Sequence, residues 1–405
     1  MGRGSDKTIS RYLRREVAAH SSAQRARLTA ASGGSVPRTQ EELARVRSIT
    51  LDDVEDPGSI MLRPPWPTGD GRRAVKARKE LERRYKPVHW IVQSGVPLGS
   101  SVADLERLGR IGARWLKGSG VRSDDVVLSF LPAGPNLAYW QLVLGAREFG
   151  VSAFHVPPVP RFADAAKLLP TVVVGRPADL ARLLTLDEDS DPRTDWRSRV
   201  RIVIAAGQPL DDGLRSRLQA VLTTKGAVVL WAWAAPGVRA MWWECRGGID
   251  LHTWPDAEVV QIVDPLSGTE APPGTDGEIV WTALGWFGSA LVRLRTGVFG
   301  ALDPAPCPAC GDPGPRLLVN TGEPSFLRVL DRNPGVAAWQ AELRVVDGYE
   351  ELLVFLSPNP GVVLPQLLAV LDADLGATQY VVLDHKALDV RLAQHDDSRV
   401  VDLRP

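Results

Sequence analysis

The chain has 405 residues, 44% of them hydrophobic and 24% charged, and its 48 basic and 48 acidic residues cancel. That composition suits a globular protein with room for two or three cores, and zero net charge excludes a field that draws the molecule onto nucleic acid or an anionic membrane. Three cysteines are too few for a disulfide scaffold. With a polar, charged N-terminal stretch and no apolar run near 18 residues, they lead to an expectation of a cytoplasmic protein.

Residues 1–60 read as a basic, partly disordered arm with a short helix. Seven Lys/Arg face only Asp6 and Glu16 in the first thirty positions, and Ala31-Ser32-Gly33-Gly34-Ser35 reads as linker. Thr39 before Glu41 and Glu42 marks a capped helix start. A second basic run, Arg72 to Lys86, carries eight Lys/Arg and two Glu. Ala74, Ala77, Leu81 and Tyr85 fall near helical spacing there, so one face is apolar and the other rich in arginine. The basic segments 1–30 and 72–86 are the expected contacts for a protein partner.

From Val88 strands and helices alternate. Strands are expected at 88–92, 125–130, 151–156, 171–174, 200–206 and 227–231, with helices at 103–116, 137–148 and 214–221. Alternation of this kind implies parallel sheets with right-handed crossovers. From Glu258 to Val280 turn-rich links join the strands, which suits an antiparallel, barrel-like subdomain. Beyond Val319 the chain changes character. A helix is expected over 324–330, a hairpin over 342–356 turning at Asp347-Gly348, a helix over 364–375 and a strand over 379–383. The expected fold class is α/β: a large domain over 61–322 and a small α+β domain over 323–405.

All three cysteines lie between Trp231 and Arg316. Cys307-Pro-Ala-Cys310 gives two thiolates on one tight knuckle, and Cys245 with His252 supplies a distant pair. Zinc needs four such donors in a tetrahedron, so these residues form a candidate structural zinc site with no open position for chemistry.

The order of motifs around that site resembles the adenylate-forming ligases, in particular the phenylacetate–CoA ligase branch. The resemblance spans residues 88–319 and rests on Glu244-Cys245, Leu251-His252-Thr253-Trp254-Pro255-Asp256, Asp276-Gly277-Glu278-Ile279-Val280-Trp281-Thr282, Arg293-Leu294-Arg295-Thr296 and the Cys-x2-Cys. Residues 325–405 look like the family's small C-terminal domain. The resemblance implies a large adenylate-binding domain, with Trp231 at the position of an adenine-stacking aromatic and Arg295 at that of a conserved-loop arginine.

Where the family's chemistry sits, this sequence departs from it. The phosphate-loop position holds Gln93-Ser94-Gly95-Val96-Pro97-Leu98-Gly99-Ser100-Ser101, without the Thr-Thr-Gly core and without a lysine. Ala235 stands at the magnesium-binding glutamate and Val298 at the ribose-binding aspartate. The family's hinge segment between the two domains is deleted between Arg316 and Phe326. His395-Asp396-Asp397-Ser398 occupies the region of the C-terminal lysine, and Lys386, one of only eight lysines in the chain, lies away from it. These departures lead to an expected catalytically degenerate ligase-like protein that acts by binding, scaffolding or regulation, with ATP, AMP and Mg2+ doubtful as ligands. The alternative is an active acid–CoA or acid–carrier ligase with a rebuilt AMP site. A nucleic-acid binder is not expected, since no recognition module is present.

Overall fold

The computed structural model describes every residue except 1–2, 32, 157–166, 182–197, 211, 223–225, 265–267, 273, 321–329, 331–332, 347–348, 376–378, 396–398 and 404–405. The expected helix at 324–330, the Asp347-Gly348 turn, the site of the hinge deletion and Asp396–Ser398 lie wholly or largely outside the described residues. The chain divides into two compact units. One comprises Met1–Ser119, Ala133–Phe149 and Ala234–Thr321; the other comprises Gly120–Pro132, Gly150–Trp233 and Gly322–Pro405.

In the first unit the N-terminal segment is a packed element, not a solvated arm. Helices at Arg3–Tyr12 and Ser22–Ala30 flank a short π-turn. Ile9, Leu13 and Val17 recur at helical spacing beneath the arginines, and with Leu28 and Leu43 they join Leu284 and Val292 in one core. Arg27 donates to the Val292 carbonyl at 2.7 Å. Burial of this kind contributes about 1.5–3 kcal/mol per large aliphatic side chain, enough to outweigh an arginine-rich composition. Thr39 caps the Gln40–Ala44 helix by accepting from the Glu42 amide, as its sequence predicts.

The basic helix forms at Arg72–Tyr85 and leads directly into the hairpin Pro87–Gln93/Val96–Ser101. Ser101 then caps the Val102–Gly118 helix in a reciprocal capping box with Asp104. Among the described residues the remaining strands of this unit pair antiparallel with one another. Glu258–Val263 pairs with Gly277–Ala283, which pairs with Leu294–Asp303, followed by Arg316–Asn320, Leu251–His252 and Trp242–Trp243.

The second unit contains a parallel sheet in the order Ser152–His155, Val126–Ser129, Val172–Gly175, Ile202–Ala206, Val228–Trp233. Val172–Gly175 and Ile202–Ala206 are buried along their whole length, the property that made them readable as unbroken apolar runs. The C-terminal portion is a four-stranded sheet. Val336–Val346 pairs antiparallel with Tyr349–Pro358, and Val400–Asp402 and Gln379–Val382 add parallel strands at its two edges. Leu367 and Leu371 of the Leu364–Leu375 helix pack on Trp339, Val354 and Leu356. The fold class is therefore α/β with a small α+β portion, as expected. Among the described residues no helix is long and apolar enough to cross a membrane.

Candidate metal centre and ligand-binding positions

The structure brings Cys245, His252, Cys307 and Cys310 together, with one ligand atom from each inside a common sphere of 4.8 Å separation. The Cys245 and Cys307 sulfurs are 3.9 Å apart, and the Cys310 sulfur lies 3.6 Å from Nε2 of His252. Four ligands on a tetrahedron with metal–sulfur bonds of about 2.3 Å sit roughly 3.8 Å apart. The donor set and its spacing therefore fit a four-coordinate cation.

Local chain geometry explains why these residues meet. Within the knuckle the Gly311 amide donates to the Cys307 carbonyl at 2.8 Å, and the Cys307 amide to the Asp312 carbonyl at 2.9 Å. Gly311 takes φ of 73°, a left-handed turn that favours glycine. His252 stands on a two-residue strand between Trp243 and Arg316, and the Trp243 ring stacks on it with centroids 4.7 Å apart. Gly247 lets the Cys245 loop approach the knuckle, since a Cβ there would lie 2.3 Å from that of Ala309.

Electrostatics favour a cation at this point. Burial pushes the Cys245 thiol up to about 12, so without a positive charge beside it the group stays protonated. At Cys307 burial also opposes ionisation, but the backbone amides of Cys310 and Ala309 and the neighbouring thiols outweigh it and lower its pKa. His252 is held below the usual histidine range, chiefly by burial, which leaves the neutral imidazole a metal needs.

A second donor group, Asp179, His385 and Asp389, has a different logic. Arg176 already bonds Asp179 at 2.8 Å and Asp389 at 3.1 Å. The guanidinium supplies the positive charge that a metal would bring, so the cluster is an ion-pair network.

The positions expected to handle nucleotide are built for packing. Ser94 and Gly95, with φ of 45° and 75°, make a two-residue turn between Gln93 and Val96. The segment expected as a degenerate phosphate loop is thus a tight hairpin, with the Gln93 side chain accepting from the Gly237 amide at 2.6 Å. Ala235 is buried, and Val298 lies half-buried within Leu294–Asp303. In the second unit Trp231 is buried against Trp233 and donates to the Gln208 carbonyl at 2.8 Å. In the first unit Arg295 donates from Nε to Glu278 at 2.8 Å, so two motif residues satisfy one another. Lys386 is exposed on the His385–Gln394 helix.

Glu258 and Arg239 are buried charged groups that no sequence motif marks. Glu258 accepts from the Trp242 and Trp281 indoles at 2.9 and 2.6 Å and from the Trp254 amide at 2.7 Å. Burial raises it to about 7. Arg239, only 6% exposed, bonds from Nη2 to the Gly99 carbonyl at 3.0 Å and to the Ser100 hydroxyl. A lone charge inside the apolar run 237–243 was the available signal for it.

The sequence matches no protein-family model and no curated protein. Solved structures do match. A 2-hydroxyisobutyryl-CoA ligase in its postadenylation state, in complex with R3-HIB-AMP, aligns with a TM-score of 0.71 and 18% identity over 97% of this chain and 90% of that one. An anthranilate CoA ligase in complex with anthranoyl-AMP aligns at 0.53 with 14% identity, over 77% and 68%. ATP-bound MatB from Rhodopseudomonas palustris aligns at 0.52 with 16% identity, over 76% and 68%. At these identities the likeness shows the fold, which is that of the adenylate-forming CoA ligases.

Proposed function

We propose that this chain is an acid–thiol ligase of the adenylate-forming kind, with a nucleotide site rebuilt on residues other than those at the family's motif positions. It would activate a carboxylic acid as the acyl-adenylate and pass the acyl group to coenzyme A or a carrier thiol. One observation carries the reading. The fold likeness runs through 97% of the chain, small C-terminal portion included, to a ligase solved with an acyl-adenylate. ATP and Mg2+ are then the cofactors. Transfer of an adenylyl group needs cations and donors aimed at the phosphates, so the rebuilt site must supply them from side chains other than Ala235 and Val298. Acid-dependent exchange of pyrophosphate into ATP tests this, and its absence across aryl, alkyl and dicarboxylic acids would count against it.

A second reading, a binding or scaffolding protein that has lost the chemistry, draws on the two-residue Ser94-Gly95 turn and the missing carboxylates. Its partner would meet the basic segments 1–30 and 72–86. In the latter, Arg83 and Arg84 are already engaged by Glu106 and Glu16. Folded, metal-replete protein that shows no calorimetric response to ATP-Mg would favour this reading.

We further propose that Cys245, His252, Cys307 and Cys310 hold one structural zinc ion. The donor spacing supports it, and metal analysis of purified protein checks it, with about one zinc per chain expected. Three thiols gathered for a cation rather than paired support a reducing, cytoplasmic setting.

A further inference from the structure

Arg239 is unusual for a buried guanidinium. Among the described residues no carboxylate lies within 4.0 Å of it, and of its three nitrogens only Nη2 makes hydrogen bonds, to the Gly99 carbonyl and the Ser100 hydroxyl. The acid that acts on it most strongly, Asp104, spends its oxygens on the amides of Ser101, Phe287 and Gly288. Trp286 lies beneath it, with Cζ 5.6 Å from the ring centroid. Asp104 offsets this buried charge only from beyond ion-pair distance, and an anion in direct contact would offset it further.

Arg239 also lines a pocket. The cavity is about 20 Å³, room for a group the size of a water or a carboxylate. Its walls are mostly apolar and include Leu105, Leu108, Leu137 and Trp140. His89 lines it as well, and its Nδ1 is buried without a hydrogen-bond partner. Guanidinium binds carboxylate through a planar fork of two parallel donors. The lining thus offers a carboxylate grip, one further imidazole nitrogen and an apolar wall for methylenes.

We propose that Arg239 holds the non-reacting carboxylate of a short dicarboxylic acid. The assignment rests on the ligase reading for its second half. A carboxylate locked onto a guanidinium is not free to attack ATP, so the acid that is activated must carry another. The small cavity keeps the chain between the two groups short.

Titrations without nucleotide, using succinate, propionate and propionamide, test the anion site on the wild-type protein. Succinate and propionate are expected to bind and propionamide not to. Arg239→Leu should weaken succinate at least tenfold, with Arg239→Lys intermediate, while a thermal melt verifies that each variant folds. Equal binding of propionamide and propionate, no binding of either acid, or an Arg239→Leu protein as tight as wild type overturns the site. Pyrophosphate exchange then tests the second half: succinate or malonate should drive it and propionate should inhibit it. Exchange driven equally by propionate overturns the dicarboxylate assignment. Carboxylate binding that depends on Arg239, with no exchange for any acid, would leave the anion site standing and remove the ligase reading.

Discussion

Two parts of the first unit, the Cys/His cluster and the Pro87–Ser101 hairpin, make an instructive pair. Both sit where motif order suggested a function. The cluster gathers donors from three separate stretches of chain to tetrahedral spacing. The hairpin turns in two residues and spends its polar groups on its own surroundings, Gln93 on Gly237 and Gly99 on the Ser289 hydroxyl. A metal centre needs side chains of the right type at the right place, whereas a phosphate cradle needs a run of inward-facing amides. Side-chain identity survives as a motif in the sequence. A cradle is lost once Val96, Pro97 and Leu98 become strand.

Removing the metal should have the largest effect. Cys307→Ala or chelator treatment is expected to release zinc and destabilise the protein by about 4 kcal/mol or more. An unchanged urea midpoint would break the comparison at its built end. Next comes the hairpin's anchor. Asp104→Ala leaves three backbone amides, those of Ser101, Phe287 and Gly288, without their acceptor, for a cost of about 3 kcal/mol. Loss of that size would mark the hairpin as a packed element, and a cost under ~0.5 kcal/mol would argue that it is loosely held.

Glu258 sets a pH dependence in the same unit. Its folded pKa, about 7, lies above the ordinary 4.5, so the native state binds the proton more tightly. The stabilisation is full below pH 4.5 and is lost as pH rises towards 7. By linkage it is at most about 3 kcal/mol. Comparing the melting temperature of wild type and Glu258→Gln between pH 4.5 and 8 should reveal the slope in the first and its absence in the second. A smaller effect, about 1–2 kcal/mol, is expected for Gly247→Ala, whose Cβ would press on Ala309. Zinc retention should fall with it, which separates damage at the knuckle from general destabilisation. The exposed Arg114–Asp256 pair is the control: Arg114→Ala should move stability by no more than about 0.5 kcal/mol.

The parallel strands and their helices were legible because strands covered on both faces are continuous apolar runs, as in Ile202–Ala206. The packing of the N-terminal segment was not, since arginines dominate the composition while Ile9, Leu13 and Val17 carry the burial. Val96–Ser101 was hidden by Pro97 and Gly99, which read as loop. The three cysteines and His252 declared themselves by chemistry and spacing. Arg239 and Glu258 belong to no motif. Only tertiary burial, among Trp286 for one and three other tryptophans for the other, gives those single charges a meaning.

ATP–pyrophosphate exchange by the purified protein, across a panel of mono- and dicarboxylic acids, tests the proposed ligase activity most directly. Acid-dependent exchange, strongest with a short dicarboxylate, is expected. No exchange with any acid, together with no binding of ATP-Mg to folded protein, would contradict it and leave a ligase frame that serves as a binding protein.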